Sequence, residues 1–377
     1  MERARGSGKG VGTTMRRDQV RTPALILDLD ALDANIAIMA DRCKELGIGL
    51  RPHAKSHKSV EIARRLVAAG ALGACCATIA EAEGLAAGGI SGLLITSPMS
   101  TDDMLARLAT LVLRRADVMV VADDPRNVDA LAALSKRSGR VLPVFVELDV
   151  GQGRTGCAEV EDAVALARLV ASHPSLKFSG IQAYWGNLQQ VMPFEERKAQ
   201  VQKRAERLRS LIAALSESSL TPPIVTGGGT GTHWLDAQLD IFTELQAGSY
   251  IFLDSCYQPL PLTSAGNPFS AALFVAAGVV TANRPDRVIV NAGLKALATD
   301  SGKPVPVRGI SQGATYRFMG DEHGAVEFDP SSPKPALGST IELLTPHCDP
   351  TVNLHSRYMV VRGEEVVDEW PVIARGY

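Results

Sequence analysis

The chain of 377 residues carries 39 basic and 41 acidic side chains, a formal net charge of -2, and 46% hydrophobic residues. That length buries a large core and suggests two domains. Interspersed charges leave no basic field for nucleic acid, and no apolar run approaches the roughly 20 residues that span a bilayer, so the expected partner is a small molecule, with no nucleic acid and no membrane.

The start, "MERARGSGKGVGTTMRRDQV", lacks the apolar core of a secretion signal, and residues 1–20 read as a flexible polar leader, with a transit peptide as the alternative. Its "GSGKGVG" follows no strand and lacks dinucleotide-loop spacing. Next, "PALILDLDALDANIAIMADRCKEL" gives one strand (23–30) and a helix, and that strand is expected to join a C-terminal sheet.

Between residues 47 and 254 short apolar runs alternate with longer amphipathic stretches. The runs are "GIGLRPHA", "GACCATI", "GLLITS", "DVMVVA", "LPVFVELD", "FSGIQAYW", "PPIVTGGG" and "FTELQAG". Between them, segments such as "VEDAVALARLVASH" have apolar residues at three-and-four spacing. Strands buried on both faces and separated by helices pair in parallel, and eight such units predict a (β/α)8 barrel over 21–258. After that, "RVIVNAG", "ATYRFMG", "AVEFD", "TIELLTP", "SRYMVVRG" and "EEVVDEWPVI" are short runs between Gly, Pro and Asp turns, which predicts a mostly antiparallel β domain over 259–377. Six cysteines without a C-x-x-C pair suit a reducing compartment, and the expected location is cytoplasmic.

Active sites of such barrels lie where the strands end, and a phosphate commonly sits after strands seven and eight. Those loops here are "TGGGTGT" and "AGSYIF". Their small residues open backbone N–H groups to an anion, and Thr230, Ser249 or Tyr250 would add hydroxyl donors. "RPHAKSHK" ends the first barrel strand, and alternation would point Arg51, His53 and Lys55 the same way. A lysine facing a phosphate suggests pyridoxal 5'-phosphate, with Lys55 as the imine-forming amine and with Arg51 and His53 lowering its pKa. Ser56 or Ser59 would cap the next helix. Strand five leads to Arg154 and strand six to Tyr184, and a ring-shaped cofactor with a phenolic oxygen and a pyridine nitrogen needs polar partners of this kind.

"TPALILDLDALDANI", "RPHAKSHK", "ELDVGQGRTG", "TGGGTGT", "QAGSYIF" and "TPHCDPTVNLH" together resemble the pyridoxal-phosphate enzymes of alanine-racemase-like fold (fold type III), within them the metal-activated D-threonine aldolase and D-serine dehydratase group. The resemblance spans residues 22–377. It implies Lys55 as the Schiff-base lysine, Arg154 and Tyr184 at the cofactor, and Gly228, Gly229, Thr230, Gly248 and Ser249 around its phosphate. It also implies a homodimer in which the β domain of one subunit covers the barrel mouth of the other.

In "TPHCDPTVNLH", an extended segment would put His347 and Asp349 on one face and Cys348 on the other. Taken alone, His-x-Asp reads more readily as a hydrogen-bonded turn. The resemblance makes it the metal position, where the dehydratase relatives carry His-x-Cys with zinc. An imidazole and a carboxylate suit Mn2+, with Mg2+, Co2+ or Zn2+ as alternatives. The implied activity is retro-aldol cleavage of 3-hydroxy-D-amino acids such as D-threonine, with the metal on the substrate 3-hydroxyl and His53 or a metal-bound hydroxide as base. The alternatives are dehydration of D-serine or 3-hydroxyaspartate, racemisation, and a non-catalytic cofactor carrier. Asp321 and His323, in "MGDEHG", read either as an ordinary hairpin or as groups reaching a neighbouring site.

Overall fold

The protein is described by a computed structural model over residues 15–114 and 117–376. The first strand, β1 (Ala24–Asp28), runs straight into α1 (Leu29–Leu46). Asp28 caps that helix by accepting the Ala31 N–H at 3.1 Å, and Gly47 ends it in the left-handed conformation.

Eight parallel strands then coincide with the eight runs of the sequence. They are β2 (Gly49–Leu50), β3 (Ala74–Cys76), β4 (Leu93–Ile95), β5 (Met119–Ala122), β6 (Leu142–Glu147), β7 (Leu176–Ala183), β8 (Val225–Gly227) and β9 (Glu244–Leu245). The helices between them are α2 (Val60–Ala68), α3 (Ile79–Ala87), α4 (Asp102–Arg114), α5 (Pro125–Ser138), α6 (Val160–Ser172), α7 (Phe194–Glu217) and the single-turn α8 (His233–Asp236). The strands run in the order β2-β9-β8-β7-β6-β5-β4-β3. Just beyond β2 the ring closes, where the Cys75 N–H donates to the Pro52 carbonyl at 2.9 Å and His53 bridges Cys75. Ser59 is the cap of α2 and accepts the Ile62 N–H, whereas Ser56 lies inside the preceding turn.

β2 is short because Pro52 has no N–H to continue the ladder, and the chain turns into a 3-10 turn at Ala54–Ser56. Strand alternation therefore does not extend from Arg51 to Lys55, and the three basic residues do not share a face. Arg51 reaches the other end of the barrel, bonding the carbonyls of Leu72 and Gly92 just ahead of β3 and β4. Its guanidinium also meets Glu244 in two bonds of 2.9 Å, with both side chains buried. Arg51→Met leaves the Glu244 carboxylate buried without a partner, and we expect it to cost about 3–5 kcal/mol. The urea midpoint measures that loss, and Arg51→Met with Glu244→Met should recover most of it.

The second sheet has nine strands. It comprises β1 with β10 (Leu273–Thr281), β11 (Arg287–Val290), β12 (Val305–Arg308), β13 (Thr315–Phe318), β14 (Gly324–Glu327), β15 (Thr340–Leu344), β16 (Arg357–Arg362) and β17 (Glu365–Pro371). All its pairings are antiparallel except β1 with β16. Between β15 and β16 lies α9 (Cys348–Leu354), so the segment expected to be extended is helical.

The polar leader expected over residues 1–20 needs correction at its end; residues 1–14, with the "GSGKGVG" cluster, lie outside the described residues. Arg17 is buried and bonds Glu342 of β15 through Nε at 2.5 Å and Nη2 at 2.6 Å, while Val20 joins the core beneath the second sheet. Among the described residues no helix is long and apolar enough to cross a membrane.

Candidate active site

A cavity of about 420 Å³ opens where the barrel strands end. His53, Lys55, Arg154 and Tyr184 line it from the first, fifth and sixth strand ends, and Gly228, Gly229 and Thr230 face them with Gly248 and Ser249. His347 reaches the same cavity from the start of α9, and Asp349 borders an adjoining one of about 580 Å³ that shares Lys55 and His347. The barrel and the second sheet thus both contribute to one site.

Lys55 Nζ lies 2.6 Å from Asp349 Oδ2. That carboxylate raises the amine pKa, outweighing burial. This reverses the expected lowering by Arg51 and His53. Arg51 is committed to Glu244, and His53 is uncharged, since burial and then the Lys55 cation push its pKa down to about 3. Lys58 is no rival amine. It is buried, with Nζ on Glu81 at 2.9 Å and on the Ala374 carbonyl at 3.0 Å.

The tautomer of His53 follows from its neighbour. Thr96 Oγ1 donates to the Cys76 carbonyl at 3.1 Å, so at 3.0 Å it accepts from the His53 Nε2–H. The lone pair on His53 Nδ1 is then unshared and shielded from solvent. Arg154 lies over the Tyr184 ring, 5.6 Å from its centroid.

The anion cradle is built by the loops after β8 and β9. Among the described residues, the N–H groups of Thr230, Gly248 and Ser249 have no protein acceptor, which is the donor set that a phosphate needs. Gly228 has a φ of +74°, and a Cβ on Gly231 would stand 1.7 Å from the Gln189 carbonyl oxygen, so the loop requires glycine at both. Buried Asp236 holds the loop from below, accepting from Trp185 Nε1 at 3.0 Å and Thr232 Oγ1 at 2.6 Å; burial raises its pKa to about 7. Tyr250 departs from expectation. Its backbone N–H donates to Thr230 Oγ1 at 3.0 Å, but its ring turns to the far side of the loop, where it borders a separate cavity with Cys43. Its hydroxyl is no phosphate donor.

At the other edge, His347 Nε2 lies 3.8 Å from Asp349 Oδ2. Burial pushes the Asp349 pKa up, but the Lys55 cation, 2.6 Å away, holds it below the usual carboxylate range. The α9 start is tethered by Asp254, whose Oδ2 accepts the Cys348 N–H at 2.8 Å. Cys348 is fully buried, so burial rather than strand alternation keeps its thiol from the cavity. Among the described residues no group of three or more His, Cys, Asp or Glu is arranged to hold a metal. An ion here would take one nitrogen and one carboxylate from the protein, with oxygens of water and substrate completing its shell. An amine, an anion cradle, a ring-facing cation and this hard ligand pair fit pyridoxal phosphate and a divalent ion.

Gln182 and Gln246 had escaped the sequence reading. They cross the barrel beneath the cavity, Gln246 Nε2 bonding Gln182 Oε1 at 3.1 Å and Gln182 Nε2 bonding the Thr96 carbonyl at 2.9 Å. A polar residue at the end of a buried strand, as in "GIQAYW" and "TELQAG", was the available signal. Asp321 and His323 form the β13–β14 hairpin turn, closed by the Met319 N–H on the His323 carbonyl at 2.9 Å.

The alanine racemase N-terminal domain family matches residues 27–256, and a putative serine dehydratase domain family matches residues 272–361. A D-threonine aldolase of an Arthrobacter species is 40% identical over 364 residues, 95% of this chain and 94% of its own. A 3-hydroxy-D-aspartate aldolase of Paracoccus denitrificans (strain Pd 1222) is 38% identical over 367 residues, 96% and 94% of the two chains. Among solved structures, the D-threonine aldolase from Filomicrobium marinum superimposes with a TM-score of 0.92 at 38% identity, covering 96% of this chain and 98% of that one. A metal-free form of a D-threo-3-hydroxyaspartate dehydratase reaches 0.84 at 26% identity, covering 95% and 98%.

Proposed function

We propose, from the premise that this chain belongs to the alanine-racemase-like D-threonine aldolase family of carbon–carbon lyases, that it splits 3-hydroxy-D-amino acids between Cα and Cβ and converts D-threonine to glycine and acetaldehyde. The observation that carries this reading is the imidazole–carboxylate pair of His347 and Asp349 beside the Lys55 amine. A hard ion on such ligands suits an alkoxide, whereas a thiolate ligand suits a softer one.

When bound, pyridoxal phosphate supplies an electron sink for the pair released at Cα, and a divalent ion, Mn2+ by our reading, supplies a Lewis acid for the 3-hydroxyl. Lys55 would hold the cofactor through Nζ and hand its place to the substrate amine. Thr230, Gly248 and Ser249 would bind the phosphate through backbone N–H groups, with Arg154 at the phenolic oxygen and Tyr184 beside the ring. His347 and Asp349 would hold the ion next to the substrate hydroxyl. His53 lines the cavity uncharged, but its free Nδ1 lone pair is shielded from solvent and its pKa is pushed down to about 3, so it is a poor acceptor for the hydroxyl proton.

Leu294 and Leu354 lie exposed at the edge of the adjoining cavity, which supports a homodimer with the site at the subunit interface. Six free cysteines, five of them buried, support a cytoplasmic location.

Product analysis tests the reaction. D-threonine and D-serine both carry the hydroxyl at Cβ, and its fate separates aldol cleavage from elimination. We expect glycine and acetaldehyde from D-threonine and little 2-oxo acid from either substrate. Pyruvate and ammonia from D-serine at a comparable rate would refute the aldolase reading in favour of a dehydratase.

A further inference from the structure

We infer that Asp300 is a positioning residue for the metal, fixing the His347 ring so that Nε2 faces Asp349 as the unprotonated donor. The inference rests on His347 and Asp349 being the metal pair. Asp300, in the segment between β11 and β12, places Oδ2 2.6 Å from His347 Nδ1. A carboxylate only accepts, so Nδ1 carries the hydrogen and the lone pair is left on Nε2, on the side of Asp349.

The backbone of His347 is already held by other groups. Its N–H donates to the Ser301 carbonyl at 3.2 Å, and its own carbonyl accepts from Thr351 Oγ1 at 2.8 Å. What remains free is rotation of the ring, and a half-turn would put Cδ2 and Cε1 where Nδ1 and Nε2 stand, taking the nitrogen donor away from Asp349. The Asp300 bond removes that freedom. It also keeps the ring proton on Nδ1, away from Nε2. The Asp300 side chain is 53% exposed, so its loss need not disturb packing.

Sequence spacing could not have shown this partner, because Asp300 and His347 are 47 positions apart on different elements. Metal-ligating histidines depend on such carboxylates, and their removal typically weakens metal binding by about 10–100-fold.

The test uses enzyme that retains pyridoxal phosphate but has been stripped of metal. It is titrated with Mn2+, and free Mn2+ is read by electron paramagnetic resonance. We expect Asp300→Ala to weaken binding about 10–100-fold and Asp300→Asn to weaken it less. Cofactor absorbance and the metal-free Tm should match wild type, and kcat should recover at saturating Mn2+. Equal affinity in wild type and both variants overturns the role of Asp300 but leaves the metal pair standing. A wild type that binds no Mn2+ overturns the metal pair as well. Weakened binding accompanied by a lower metal-free Tm in both variants overturns positioning in favour of a structural role.

Discussion

Lys55→Ala abolishes turnover and the covalent link to the cofactor. After borohydride reduction and digestion, the wild type should yield one pyridoxyl-labelled peptide, centred on Lys55, and the variant none. The geometry makes this the largest effect expected of any single change, because among the described residues no other lysine lines the cavity of about 420 Å³: Lys58 is buried against Glu81 and Lys295 is paired with Glu322 at 2.6 Å on the surface. A label on Lys58 in the wild type would displace the assignment, since it requires that buried pair to open.

Removal of either metal ligand comes next. His347→Ala and Asp349→Ala should each lower kcat/KM by at least about 100-fold, because Lewis-acid stabilisation of a developing alkoxide amounts to several kcal/mol. Added Mn2+ should reactivate chelated wild type and leave both variants inactive, and chelation of the wild type should leave the bound cofactor spectrum nearly unchanged. Cys348→Ala is the control. Its thiol is buried and donates to Asp349 Oδ1 at 3.3 Å, so that variant should lose about 1 kcal/mol of stability while keeping full activation by Mn2+. If the cysteine variant instead loses metal activation as the other two do, the imidazole–carboxylate pair is the wrong ligand set.

The barrel was legible because its rhythm is local: each strand is a short apolar run and each helix repeats at its own period. The second sheet was less so. Its central strand β10, "LFVAAGVVT", shows no alternation, and β12 is four residues with a proline. The site divides in the same way. Lys55 and the glycine loops are marked by composition at predictable places, whereas the resemblance alone pointed to His347. Asp254 and Asp300 act through partners on other elements, and nothing in their own neighbourhood marks them. Two misreadings had one cause, alternation carried past the end of a strand. Pro52 ends β2 before His53, and α9 starts where "HCDP" was taken as extended.

β1 lies between β10 and β16, with Leu25 opposite Val275 on one side and Tyr358 on the other. At about 5–20 residues per second, the ribosome makes β16 tens of seconds after β1. During that interval each barrel strand meets its neighbour soon after emerging, while Leu25, Ile26 and Leu27, all fully buried in the end, wait for partners not yet synthesised. A nascent chain stopped before β10 therefore presents a folded barrel with an unpaired apolar strand, the kind of edge that recruits other chains. Translation order also makes α9 one of the last helices to appear, so the cofactor half of the site is assembled before its metal half.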